Sequence, residues 1–447
     1  MSTESINQHK PPRQWRVNFV TLLSGLGFGV VIGSSIVTLL PNLSTAGGFA
    51  NAIGSSAAMS GTYLCLLLLV LISRISWIER EAGHDQMVLW HRTIAPYSLF
   101  LIAVHVVFTT IGYAQSSGIS VFEQLVAFVT TYGWMLPATV GFVLMIALGF
   151  ASHKIARSRM KYETWWTAHL YFYIAIALAF GHQINTSILF IQHPLLKQFW
   201  IGLYIFVAML IVVNRITLPI WQSFRCGLRV KQVVEESPGI VSVYITGRKL
   251  ERFKAVGGQF FQWRFMTPQW WWQAHPYSLS KQPTSDEMRI TVKKLGDQSS
   301  ALLNDLKPGT RIIAEGPYGV FTAKQRNTNS VTAFAAGIGI TPIRAMLDEI
   351  SHDVAVTLIY RVSDSNTAPL RSELADLVAG KNINLVYLEG SRTNHSFTDK
   401  YISQLAPNFR HSDVYVCGPH AFMDEVIKLA RSVGVPASHI HHESFAF

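Results

Sequence analysis

The chain has 447 residues, 49% hydrophobic and only 14% charged, with a formal net charge of +11. So little charge excludes an ordinary soluble protein, and the length leaves room for two or three domains, one of them in a membrane. The excess of Lys and Arg invites a nucleic-acid reading, but its placement along the chain excludes that partner. Three cysteines, Cys65, Cys226 and Cys417, lie far apart without metal-ligand spacing, so free thiols are expected and no disulfide framework.

Apolar stretches of spanning length occur at about 17–40, 55–73, 90–112, 134–152, 164–185 and 198–214. The first, Val17 to Leu40, is 24 residues without a charge, too long for a signal-peptide core, and reads as a retained span. All six lack Lys, Arg, Asp and Glu, except that the third carries Arg92 near one end. Residues 41–54 and 113–133 contain no Lys or Arg, and 186–197 has only Lys197. The other side carries Lys10, Arg13, Arg16, Arg74, Arg80, Lys154, Arg157, Arg159, Lys161 and Arg215. The positive-inside rule then predicts six spans in a plasma (inner) membrane with both termini cytoplasmic. Gly25, Gly29 and Gly33 make a small-residue ridge on the first span, suited to close helix packing. The stretch SVFEQLVAF within 113–134 predicts a short interfacial helix.

Four histidines fall in two pairs inside these spans: His91 with His105, and His169 with His182. Each pair is spread over about 20 Å of helix, and an ionisable group in a span is costly enough to suggest function. Topology puts His91 and His169 near the cytoplasmic side and His105 and His182 deeper. Two helices offering imidazoles at two matched depths suit two haems, each held by two histidines, His91 with His169 and His105 with His182. The spacing of thirteen residues in the fifth span misses whole turns by roughly 0.4 of a turn, which calls for an irregularity near Gly181 or ligands swinging in from different sides. His84, His153 and His193 are expected at the surface. Arg92 suits an inner haem propionate and an interfacial anchor equally.

After Pro219 the pattern becomes short β-branched or alternating runs bounded by Gly and Pro: LRVKQVVEE, IVSVYITG, GQFFQWRF, MRITVKK and TRIIAEG. These predict a small antiparallel barrel over about 221–325. Within it, His275-Pro276-Tyr277-Ser278 follows Trp270–Trp272, and Lys293 to Ser300 leads into a helical run. An aromatic ring can stack on a flavin, a hydroxyl can reach its N5, and a helix start can hold a pyrophosphate. From 331 the order is strand, glycine turn and helix, followed by three more strands and a helix, a doubly wound α/β sheet. Its first turn is Gly337-Ile338-Gly339-Ile340-Thr341-Pro342. Cys417-Gly418-Pro419 follows the last of these strands, and the chain ends Glu443-Ser444-Phe445-Ala446-Phe447.

Taken together, the soluble motifs closely resemble the ferredoxin–NADP reductase type of flavin module over roughly 225–447. That resemblance implies that His275, Pro276, Tyr277 and Ser278 bind the isoalloxazine of FAD, and that Ser299 and Ser300 bind its pyrophosphate. It further implies that Gly337, Gly339, Thr341, Pro342, Gly418 and Pro419 hold the nicotinamide nucleotide, with Cys417 and Glu443 near hydride transfer. The terminal aromatic would cover the flavin; Phe445 fits the spacing best, with Phe447 the alternative. An arginine common in plant-type members is His275 here, a departure shared with the membrane-bound branch. Joined to six spans with paired histidines, the chain over about 17–447 resembles the NADPH oxidase and ferric reductase superfamily. The thirteen-residue spacing looks more like the oxidases, whereas the first span has no arginine and Thr109 stands one turn after His105, unlike the basic outer-haem surroundings of animal oxidases. No calcium-binding extension is expected.

Arg361 follows the second strand of the nucleotide fold, where an acidic residue would favour NADH and an arginine accommodates a 2′-phosphate, with Arg371 as a helper. A solvent-exposed loop arginine is the competing reading. The expectation is therefore a six-helix membrane domain (1–220), an FAD-binding β-barrel (221–325) and an α/β NAD(P)-binding domain (326–447). Electrons would pass from cytoplasmic NADPH (or NADH) through FAD and two haem b groups to an acceptor outside. Oxygen giving superoxide is placed first, a ferric chelate close behind, then a quinone or partner protein. A nucleotide-gated channel is the remote alternative from another class, and oligomeric state stays open.

Overall fold

The computed structural model describes residues 15–160, 162–294, 296–390 and 397–443. The helices before the first strand are α1 (Trp15–Leu39), α2 (Gly48–Ile72), α3 (Ser76–Ala82), α4 (His84–Ser117), α5 (Val121–Thr130), α6 (Met135–Ser152), α7 (Lys154–Arg157), α8 (Tyr162–Thr186), α9 (Ile188–Gln192), α10 (Pro194–Val212) and α11 (Leu218–Cys226). Residues 15–75 and 85–213 form one compact unit, and residues 76–84 with 214–447 form another.

In the helical unit, much of the large apolar surface faces outward, as lipid solvation allows and water would not. Among the described residues, five helical runs are long and apolar enough to cross a membrane: Val17–Asn42, Gly48–Ile72, Gln86–Ser117, Met135–Ser152 and Pro194–Cys226. The six expected by sequence are thus five by this measure. The missing one is α8, a helix of 25 residues, whose two histidines, two tryptophans and tyrosines lower its hydropathy. The short helix predicted after residue 113 is α5, and Ser120 and Glu123 close a capping box at its start.

Glycine decides how closely α2 and α4 pack. A side chain at Gly54 would collide with Thr109, and one at Gly112 would collide with Asn51. The ridge Gly25, Gly29 and Gly33 plays no such part, since added Cβ atoms there would meet nothing within 4 Å. On α1 it is Gly27 that admits a neighbour, Tyr63, whose hydroxyl donates to the Ser24 carbonyl at 2.9 Å. Nor does α8 break at Gly181: it runs unbroken, and Gly181 is where the Trp134 ring lies against the helix backbone.

The second unit opens with six antiparallel strands: β1 (Arg229–Ser237), β2 (Ile240–Thr246), β3 (Phe260–Phe265), β4 (His275–Ser278), β5 (Glu287–Lys293) and β6 (Ile312–Tyr318). Their sheet orders are β1-β2-β5 and β4-β3-β6, joined by bridges Arg229–Arg311 and Leu279–Ile290. Between β1 and β2, Pro238-Gly239 makes the turn, with Gly239 at φ 76° where a side chain would be strained. Val243, Ile245, Phe261, Trp263, Phe265 and Ile290 fill the interior with almost no exposure.

Next come α12 (Gly296–Asp305), β7 (Ser330–Ala336), α13 (Ile340–Glu349), β8 (Ala355–Val362), α14 (Arg371–Gly380), β9 (Ile383–Glu389), α15 (Asp399–Leu405), β10 (Asp413–Cys417), α16 (His420–Ser432) and β11 (Ile440–Glu443). These strands form one parallel sheet in the order β11-β10-β7-β8-β9. Apolar clusters cover both faces, as a parallel sheet between helix layers requires. The chain reverses direction across the sheet between β7 and β10, which opens a crevice at their carboxyl ends.

Candidate functional site

Within the helical unit the histidines meet as the sequence pairs them. The rings of His91 and His169 have centroids 6.3 Å apart, and those of His105 and His182 are 6.2 Å apart. A first-row metal binds an imidazole nitrogen at about 2 Å, and the ring centre lies about 1 Å beyond it. Two imidazoles on opposite sides of one metal therefore place their ring centres about 6 Å apart, the separation of both pairs. Nδ1 of His91 faces the Leu68 carbonyl at 3.3 Å, and Nδ1 of His105 faces the Gly54 carbonyl at 3.0 Å. Thr109 Oγ1 also lies 3.1 Å from His105 Nδ1, and Ser152 Oγ lies 3.1 Å from His169 Nδ1. A carbonyl can only accept, so in His91 and His105 the proton belongs on Nδ1 and the Nε2 lone pair is left for a metal. Among the described residues no three of His, Cys, Asp or Glu converge on a metal position.

His153 and His193 are exposed as expected. His84 is not. Its side chain is only 12% exposed, Nδ1 sits 3.0 Å from the buried Glu79 carboxylate, and its ring stacks on Tyr318. Arg92 is exposed.

In the second unit, β4 carries His275, Pro276, Tyr277 and Ser278 beside β3. The His275 and Tyr277 rings are parallel within 5°, with centroids 6.0 Å apart. Burial pushes the Tyr277 phenol up to about 12, so it stays neutral. Ser278 is buried. Ser299 and Ser300 fall in the first turns of α12, Ser300 half-buried; the Ser299 side chain, like Phe445 and Phe447, lies outside the described residues.

The carboxyl ends of β7 and β10 bring the two glycine motifs together. Gly337 has φ 55°, and a side chain at Gly339 would run into the Cys417 carbonyl. A Cβ on Gly418 would lie 2.9 Å from the Ala336 methyl, so only glycine allows the crevice walls to close this far. The Thr341 hydroxyl donates to the Ile338 carbonyl at 3.0 Å, and Pro342 sits in the first turn of α13, where its missing N–H costs nothing. Cys417 is fully buried, opposite Glu443 in the β10–β11 register. Burial, then the Glu443 carboxylate, raises its thiol well above the ordinary range. Gly418 and Pro419 follow directly, and Pro419 precedes α16. Arg361 is the penultimate residue of β8, beside Ala336, and its Nη2 is buried without a hydrogen-bond partner among the described residues. Arg371 donates to Asn366 Oδ1 at 2.6 Å.

Two groups escaped the sequence reading. Arg289, almost fully buried, donates to Ser280 Oγ at 2.9 Å and to Glu373 Oε2 at 2.8 Å, while Arg344 Nε lies 2.6 Å from the same carboxylate. Glu373 thereby ties barrel strand β5 to α13 and α14. Glu315, 1% exposed, lies 3.0 Å from Arg215 and accepts from the Tyr318 hydroxyl. A charge alternating into the apolar runs MRITVKK and TRIIAEG was the available signal for both.

Three family models match the chain in succession: the ferric reductase like transmembrane component at residues 57–180, an FAD-binding domain at 237–322 and an oxidoreductase NAD-binding domain at 334–428. The chain therefore joins a ferric reductase like transmembrane region to FAD-binding and NAD-binding domains. More narrowly, it has the ferric reductase/NADPH oxidase-type architecture. It is 31% identical over 229 residues to the ferredoxin reductase component of a 3-ketosteroid-9-alpha-monooxygenase from Mycolicibacterium smegmatis, covering 49% of this chain and 65% of that protein. Flavohemoprotein B of Dictyostelium discoideum is 29% identical over 188 residues, 38% of this chain and 44% of that protein. The chain thus spans about half to two thirds of these relatives. Among solved structures, the FAD/NAD-binding domain of a nitric oxide dioxygenase from Vibrio cholerae aligns with 49% of this chain and 98% of its own, at TM-score 0.40 and 23% identity.

Proposed function

We propose that this protein carries electrons from cytoplasmic NADPH, through FAD and two bis-histidine haems, to an acceptor on the far side of the membrane. The observation that carries this reading is the pair of imidazole couples on α4 and α8, each at the separation one metal would require. FAD, when bound, takes two electrons as hydride and gives them up singly, and haem relays single electrons.

The chain's own residues do the placing. His91 and His169 would hold the inner haem, and His105 and His182 the outer one, with Leu68, Gly54 and Ser152 fixing ring orientation. Tyr277 and Ser278 would seat the isoalloxazine, and the α12 start with Ser299 and Ser300 its pyrophosphate. The crevice at Gly337, Gly339 and Gly418 would admit the nicotinamide nucleotide, bringing it beside Cys417 and Glu443. The buried, unsatisfied Arg361 Nη2 supports NADPH over NADH, since a 2′-phosphate would complete it. On this reading α8 is the sixth span and both termini are cytoplasmic.

Oxygen is proposed as the acceptor, giving superoxide. Two histidines on one iron would leave no open position, which would suit electron loss to a small diffusible molecule rather than oxygen binding at the metal. Ferric-chelate reduction is the second reading, favoured by the neutral setting of His105, where Thr109 and the Gly54 carbonyl are the polar neighbours. The deciding experiment is anaerobic: purified protein receives FAD and NADPH, and the haem bands are followed. Reduction, then fast reoxidation in air with superoxide trapped, establishes the oxidase. Slow reoxidation in air but fast reoxidation by ferric citrate establishes the metalloreductase. Absence of haem bands overturns the proposal.

A further inference from the structure

α11 closes the membrane-length run Pro194–Cys226, whose 33 residues exceed the roughly 20 that a hydrocarbon core takes, so its last turns lie past that core. It is amphipathic in an unusual way. Pro219, Ser223 and Cys226 are buried, and the Ser223 hydroxyl accepts from the Ala314 backbone of β6 at 2.9 Å. Its free side is apolar: Trp221 is 52% and Phe224 60% exposed.

Arg225 and Arg252 lie with Trp221 along one cleft, and further cations neighbour them in the chain. Arg225, Arg248, Lys249, Arg252 and Lys254 are all exposed, with Glu251 the one acid among them. Among the described residues none of the five is in an ion pair, and the Arg225 guanidinium lies 4.8 Å from the Trp221 ring centroid. A cleft of about 230 Å³ is lined by Trp221, Gln222, Arg225, Cys226, Arg252 and Phe253. The Arg248 backbone N–H donates to the Cys226 carbonyl at 2.7 Å, which brings a third arginine to the edge of this cleft.

An exposed aromatic face beside unpaired cations, just past the hydrocarbon core, suits a water–lipid boundary. We propose that this cleft binds the phosphate headgroup of an anionic membrane lipid, with Trp221 and Phe224 in the acyl boundary and Arg225, Arg248 and Arg252 on the phosphate. The lipid fastens the start of the reductase unit to the bilayer surface. The inference requires the membrane helices to lie in a bilayer but is independent of haem and of the acceptor.

The test uses the full-length protein in detergent, offered equal amounts of phosphatidylglycerol and phosphatidylcholine, with retained lipid read by native mass spectrometry. Wild type retains phosphatidylglycerol selectively. The triple variant R225Q/R248Q/R252Q loses about a hundredfold of that retention, at roughly one kcal/mol per cation, and R225K/R248K/R252K keeps most of it. FAD binding unchanged in both variants shows that they fold. Equal retention of the two lipids by wild type, or full phosphatidylglycerol retention by the glutamine variant, overturns the proposal. So does displacement of the lipid by inorganic phosphate at matched ionic strength, which would make this a soluble-anion site.

Discussion

The helical unit and the reductase unit build their candidate sites by opposite means. In the first, the chemistry is carried by side chains hung on regular helices, and position follows from helical rise: His91 and His105 on α4 meet His169 and His182 on α8. In the second, the crevice is shaped by missing side chains, at Gly339 against Cys417 and Gly418 against Ala336. A site built from what side chains present is broken by deletion. A site built from backbone approach is broken by addition.

That contrast predicts a graded series. The largest effect belongs to His105→Leu, which should abolish outer-haem absorbance and transmembrane electron flow while NADPH still reduces the flavin. Normal flow in that variant, measured in proteoliposomes, would remove His105 from the ligand set. Next is Gly339→Val, whose side chain must displace the end of β10. Its KM for NADPH should rise about a hundredfold, with the haem spectrum untouched. A spectrum that changes as well would mean that the two regions are not independent.

Asp413→Asn probes the sheet that carries the crevice. Asp413 is fully buried; desolvation raises its carboxyl, but His441, Thr328 and Asn327 outweigh it and hold it below the usual range. A depressed carboxylate stabilises the fold above its unfolded pKa, and that contribution is lost as pH falls through the folded value. The variant should therefore lose about 2 kcal/mol at neutral pH, with the gap to wild type closing in acid, as thermal unfolding would show. The smallest effect is expected for Arg361→Ala: KM for NADPH up about tenfold and KM for NADH unchanged, since one charge-assisted hydrogen bond is lost. Equal effects on both nucleotides would assign Arg361 to the loop rather than to a 2′-phosphate.

The same contrast explains what could be read without a structure. Histidine pairing was legible because helical rise converts sequence distance into depth. The glycine motifs were legible because strand, turn and helix follow one another within a few residues. What escaped depends on tertiary approach. Nothing local to Gly54 says that its carbonyl will meet His105 across two helices, and nothing near Glu373 says that it will join Arg289 to Arg344. The ridge of Gly25, Gly29 and Gly33 misled for the same reason, since periodicity names a face but not its neighbour. His84 misled because a polar residue beyond a span end was placed at the surface, whereas Glu79 and Tyr318 enclose it.

The surroundings of the four imidazoles have an electrical consequence. The hydrogen-bond partners of His91, His105 and His169 are two backbone carbonyls and two hydroxyls, with no carboxylate among them. On the proposed route these groups offer an electron no accompanying proton. Each turnover would then move net negative charge outward and leave protons behind, so an inside-negative voltage would drive the reaction and the reaction would dissipate that voltage. At about 2.3 kcal/mol per charge per 100 mV, a potential opposing that movement would slow the enzyme, and a cation leak would restore it.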